Sequence, residues 1–157
     1  NFSSGRLKYD GAKFISRADF DMINKRSKVD VGDIVMPMIG TIGSPVIIQE
    51  EPEFAIKNVA LIKFKGIKIK AEYVRTLLSG EFLTRTIAKT SRGGTQKFIS
   101  LGNLRALEFP LPPEDLQEDF CRRLTKAQSL SLVHDSSFSH FETLFFSLQQ
   151  RAFRGEL

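Results

Sequence analysis

From Leu116 onward the apolar residues of this chain recur every three or four positions. Leu116, Phe120, Leu124, Ala127, Leu130, His134, Phe138, Phe141, Phe145, Leu148 and Ala152 form a stripe with an average step of 3.6 and polar residues between. That period is the signature of an amphipathic helix. It predicts one helix, or two nearly collinear ones, of about 38 residues, near 57 Å long at about 1.5 Å per residue. A rod of that length cannot hide its stripe against a domain built from the rest of a 157-residue chain. The pattern therefore predicts a partner helix, from another copy or from a missing part of the same polypeptide. The alternative is a rod folded back at Ser136–Ser139, where the sequence DSSFS offers a break.

The residues before the stripe read differently. VGDIVMPMIGTIGSPVIIQ predicts a strand at Asp33–Ile39, a glycine-punctuated turn at Gly40–Pro45 and a second strand at Val46–Ile48. FAIKNVALIKFKGIKIK mixes β-branched and aromatic residues with lysine, as in strands with one buried and one basic face, so that Lys63, Lys65, Lys68 and Lys70 line an edge or a groove. AEYVRTLLSGEFLTRTIAK predicts a helix with a weak point at Gly80. Ser100 can cap a short helix through Arg105, and ALEFPLPP is an extended segment stopped by its prolines. The expected fold class is α+β: a mixed domain with a twisted sheet over residues 1–112, then a long helix over 113–157.

Charge is concentrated rather than spread. Residues 57–105 carry eleven lysines and arginines against Glu72 and Glu81, while the segments on either side are slightly acidic. So one-sided a block is the footprint of a surface that meets a polyanion such as double-stranded DNA. The same residues could also serve as a solvated, lysine-rich sheet edge that prevents aggregation.

No catalytic constellation is present. No Asp or Glu is followed two positions later by Lys, as a restriction-type nuclease site would require, and neither a phosphate-binding Gly-Lys-Ser/Thr loop nor G-x-G-x-x-G occurs. Nucleotide and S-adenosylmethionine binding are unsupported, so no cofactor is expected. The single Cys121 and two histidines provide no metal-ligand cluster and no disulfide framework. Cys121 and His134 read as packing residues of the helix. No apolar run nears the roughly 18 residues of a membrane span, and no signal-type core opens the chain, which predicts a cytoplasmic protein away from membranes.

Two glycine-containing turns remain. Gly40-Thr-Ile-Gly43 has a G-x-x-G outline without the basic residues of a nucleic-acid clamp and reads as a structural turn. Ser91-Arg92-Gly93-Gly94-Thr95-Gln96-Lys97 is better equipped. Its glycines let backbone N–H groups approach a phosphate, Arg92 and Lys97 supply charge, and Thr95 and Gln96 can read base edges. The predicted DNA contacts are Lys89, Arg92, Thr95, Gln96 and Lys97, with Lys63 and Lys65 as phosphate-facing support. A turn whose Thr95 and Gln96 satisfy only local backbone is equally compatible.

Four stretches in order, VGDIVMPMIGTIGSPVII, FAIKNVALIKF, SRGGTQKFISLGNLRALEFPLPPEDLQEDF and LFFSLQQRAFRGEL, resemble the DNA-specificity subunit of type I restriction-modification systems. The resemblance implies a non-catalytic protein whose target recognition domain reads one half of a bipartite DNA sequence. It also implies a spacer helix, Leu116 to Phe153, that pairs antiparallel with a second such helix and docks DNA methyltransferase subunits. The partner-helix residues expected from it are Phe120, Leu124, Leu130, Phe138, Phe141, Phe145 and Leu148. Members of that family carry two recognition domains and two spacer helices, whereas this chain shows one of each and lacks the segment expected before LKYDGAKFISRADF. It is therefore expected to be a C-terminal part or a half-size version of such a subunit. The competing expectation is a pairing scaffold without DNA affinity of its own.

Overall fold

The computed structural model describes residues 2–3, 6–7, 9, 11–39, 42–90 and 99–156. Two compact units result, residues 1–117 and 118–157.

The first unit is built on β3 (Ile34–Pro37), the central strand of a three-stranded antiparallel sheet between β4 (Val46–Ile47) and β5 (Val59–Ile62). Ile34 pairs with Ile47 on one side and Ile62 on the other, and Val35 with Val46 and Leu61. All four residues of β3 are buried, which is why this strand is a continuous apolar run without alternation. Val35 joins Val29, Val46 and Ile48 in one cluster, with Leu7, Phe54, Ile56 and Leu61 packed against it. Ile34 and Met36 point to the opposite face and are also buried.

Before the sheet lie a short antiparallel pair, β1 (Phe2–Ser3) and β2 (Arg6–Leu7), and α1 (Arg17–Ser27). Ser16 caps α1 by accepting from the Asp19 N–H at 3.1 Å. After the sheet come α2 (Ala71–Ser79) and α3 (Glu81–Thr90). The segment predicted as a helix with a weak point breaks there: Gly80 takes an extended conformation and its N–H reaches back to Leu77 O. Tyr73, Val74, Leu78 and Leu83 are the buried residues of this pair. Gly43, at φ +87°, lies so close to α2 that a Cβ would stand 3.3 Å from the Leu78 carbonyl oxygen, so this position needs glycine for both conformation and space.

The lysine-rich segment departs from expectation. Only Val59–Ile62 is a strand, and the chain then turns, with the Ile67 N–H donating to Phe64 O at 3.0 Å and Gly66 at φ +77°. Left-handed backbone at Gly66 ends the ladder, so Lys65 and Lys68 occupy a turn leading into α2 instead of a sheet edge. The strand predicted over Asp33–Ile39 is likewise shorter, Ile34–Pro37, and the Asp33 N–H turns back to Asp30 O at 3.1 Å.

Ser100 caps α4 (Leu101–Arg105) as anticipated, accepting from the Asn103 N–H at 3.0 Å. After the prolines, α5 runs unbroken from Glu114 to Phe153, 40 residues, through Ser136–Ser139. Its serines are tolerated because their hydroxyls bond back to the helix, as Ser137 does to Val133 O at 2.9 Å. The fold is thus α+β, as expected.

Candidate nucleic-acid interface

One cation of the basic segment is already engaged. Lys63, the residue after β5, donates from Nζ to Asp30 Oδ2 and Asp33 Oδ2, both at 2.6 Å, and to Lys28 O at 3.0 Å. Asp33 is a buried carboxylate, its side chain only 2% exposed, and it also accepts the Asp30 N–H at 2.8 Å. Burial acts to lower the Lys63 pKa, but hydrogen bonds to Asp30 and Asp33 outweigh it and hold the ammonium above its usual value. Hydrogen bonding from Lys63, then Lys28, draws the Asp30 carboxyl below the usual carboxylate range. The cluster fastens the loop before β3 to the end of β5 and fixes where the following lysines emerge.

Lys65 and Lys68 in that turn, Lys57 before β5 and Arg105 at the end of α4 are exposed, and among the described residues they have no carboxylate partner. Arg75 is paired with Glu72, and Arg85 with Glu81 at 2.5 Å. Lys89 belongs to α3. Arg92, Thr95, Gln96 and Lys97 lie outside the described residues, as do Gly40 and Thr41. The anchors of that loop are defined: α3 ends at Thr90, and Ile99 is buried with its N–H donating to Met38 O at 3.0 Å. Residues preceding one glycine turn and following the other are therefore joined backbone to backbone.

The proline junction is fastened by two side chains. Tyr73 donates its hydroxyl to Pro110 O at 2.6 Å. Gln117, 2% exposed in the first turns of α5, donates to Pro112 O at 2.8 Å and accepts the Lys70 N–H at 2.9 Å. Both ends of its amide satisfy backbone groups that would otherwise be buried unpaired. Lys70 Nζ stands 3.8 Å from Glu114 beside it.

Neither Gln117 nor the Lys63 cluster was legible in the sequence. Gln117 sits off the apolar stripe among polar residues, and Lys63 meets Asp33 across a separation of 30 residues, so no periodicity signals either contact.

Along α5 the predicted partner-helix residues are present on one face. Phe120 and Leu124 are half-buried, while Leu130 (54% exposed), Phe138 (65%), Phe141 (70%), Phe145 (63%) and Leu148 (41%) present large apolar side chains to solvent. These side chains form an extensive exposed apolar stripe along α5, with His134 between Leu130 and Phe138. Among the described residues no cluster of His, Cys, Asp or Glu could hold a metal ion, and no helix is long and apolar enough to cross a membrane.

The first unit thus presents exposed cations in segments flanking its small antiparallel sheet and at the end of α4, and α5 presents a stripe of exposed apolar side chains. Residues 5–132 match the family model described as type I restriction modification DNA specificity domain, and the chain belongs to that family. It is similar, at 26% identity over 162 residues, to the type I restriction enzyme EcoBI specificity subunit of Escherichia coli. The match covers 100% of this chain and 34% of that relative, so the chain spans about a third of the relative's length.

Proposed function

We propose that this chain reads one half of a bipartite double-stranded DNA target, as a non-catalytic part of a type I restriction-modification complex. The observation that carries the reading is the set of exposed cations without carboxylate partners among the described residues, Lys57, Lys65, Lys68 and Arg105, within the one strongly basic segment. Membership in the specificity-domain family supports it. In this reading Lys65 and Lys89 meet phosphates, Arg92 and Lys97 supply charge at the Gly93-Gly94 turn, and Thr95 and Gln96 read base edges. Lys63 acts from behind by fixing the β5 end through Asp30 and Asp33. The long helix pairs with a second spacer helix and docks the DNA methyltransferase subunits, its exposed phenylalanines supplying the surface.

The test is fluorescence anisotropy of a labelled random-sequence duplex pool at several salt concentrations, with the Arg92→Ala/Lys97→Ala variant alongside. Each neutralised phosphate contributes about 0.9 to the slope of log K against log salt. The variant should therefore lose about 2 from that slope, and equal slopes would remove the loop from the interface. Absence of binding at low salt would leave the scaffold reading, which the exposed helix face favours.

A further inference from the structure

Asn58 stands immediately before β5 in a left-handed backbone conformation, φ +60°, and among the described residues it is the one non-glycine residue with positive φ. Asparagine tolerates that conformation better than most residues because its short amide can bond to nearby backbone. Here it does not. The side chain is exposed, and among the described residues neither end of its amide has a partner. Its neighbour Lys57 is an exposed cation in the same condition. The fold thus holds a hydrogen-bonding group and a charge side by side in solvent, at a backbone angle that persists only where the surroundings fix it.

The place of this pair in the sheet indicates what it meets. The ladder between β3 and β5 closes at Pro37 and Val59, and Pro37 has no N–H with which to extend it. One position beyond that pair stand Met38 and Asn58. Met38 O accepts the Ile99 N–H at 3.0 Å, so the end of β3, the start of β5 and the segment entering α4 come together at one corner. Ile39, the next residue along, is 56% exposed, and the corner opens to solvent there. Lys63, Lys65 and Lys68 follow the other end of β5, beyond Ile62, with about 10 Å of strand between the two ends. Lys57 is the lysine that β5 brings to this corner.

We infer that Lys57 and Asn58 grip a phosphate of the duplex, Lys57 through its ammonium and Asn58 through its amide N–H, and so seat the DNA against this corner of the sheet. This rests on the DNA reading proposed above and adds two contacts to it. A phosphate offers acceptors and negative charge, which an amide donor beside an ammonium matches. Contacts of this kind fix the register and orientation of a protein on a duplex without reading its sequence. An asparagine reading adenine would engage its oxygen as well as its nitrogen and give a sequence-dependent contact instead.

Glycine at position 58 separates the amide from the backbone that carries it, because glycine adopts φ +60° without strain. In the full chain, Asn58→Gly should leave Tm within about 2 °C of the parent, since relief at that angle offsets the greater freedom of an unfolded glycine. It should weaken binding of the labelled random-sequence duplex pool about tenfold, the size of a lost hydrogen bond to a charged group, with the salt slope unchanged. Lys57→Met should lower that slope by about 0.9. The half-site selected from the pool should be the same for the parent and both variants. Affinity of Asn58→Gly within about twofold of the parent, the range of an ordinary surface substitution, would overturn the grip. A larger fall in Tm would overturn it by assigning the amide to the fold, and a changed half-site by assigning it to base reading. The Arg92→Ala/Lys97→Ala variant measured alongside keeps the two readings apart. A slope lost there, with Asn58→Gly and Lys57→Met both unchanged, refutes the grip alone, whereas a parent that binds no duplex refutes the DNA reading and the grip with it.

Discussion

Replacing Lys63 by Met keeps the aliphatic stem and removes the ammonium that bridges Asp30 and Asp33 at 2.6 Å. Asp33, with a side chain 2% exposed, then retains one partner, the Asp30 N–H at 2.8 Å. Losing one of two partners at a buried charged acceptor costs about 1–3 kcal/mol. Because Lys63 itself is 42% exposed, solvent screens part of the interaction, and about 2 kcal/mol is expected. For the unit comprising residues 1–117, an unfolding entropy of about 2.1 cal/mol/K per residue converts this to a fall in Tm of roughly 8 °C. Differential scanning calorimetry reads it directly. Adding Asp33→Asn removes the stranded charge but keeps an acceptor for the Asp30 N–H, so the double variant should recover about half of the loss. Because its ammonium is already spent on two carboxylates, Lys63→Met should leave the salt slope of DNA binding unchanged, whereas Lys65→Met should lower it by about 1. A Tm within about 2 °C of the parent would refute the fastening role, since a loss that small falls within the range of ordinary surface substitutions.

The same cluster has a pH signature. Asp30 is depressed, so its contribution is present above the ordinary value of 3.8 and lost as pH falls through the lower folded value; Lys63 is raised, so its contribution is present below 10.5 and lost as pH rises through the higher folded value. Urea melts of parent and Lys63→Met should differ most between those limits and converge beyond them. Gln117→Leu leaves the Lys70 N–H and Pro112 O without their partner and should cost about 2 kcal/mol by urea unfolding, more than Tyr73→Phe at about 1. Gly43→Ala, strained at φ +87° and crowded by Leu78 O at 3.3 Å, should destabilise by about 1–3 kcal/mol in the same assay. Phe141→Asp should abolish self-association in sedimentation equilibrium, because a carboxylate cannot be buried unpaired in an apolar seam.

Elements governed by near neighbours were legible in the sequence. The period of α5 needed only the spacing of its apolar residues, and the caps at Ser100 and the break at Gly80 are properties of a few adjacent residues. Tertiary structure decided what distance in sequence conceals. Alternating lysine and β-branched residues from Lys63 to Lys70 fit a strand as well as a turn, and Gly66 at positive φ makes it a turn. Charge counting treats Lys63 and Lys65 alike, yet one is bound by carboxylates 30 and 33 residues away and the other has no carboxylate partner among the described residues. Gln117 looks like any surface glutamine of a helix until the chain brings Lys70 and Pro112 to it. Periodicity and capping are set by local backbone geometry, whereas the partner of a buried polar group depends on which remote segment the fold delivers to it.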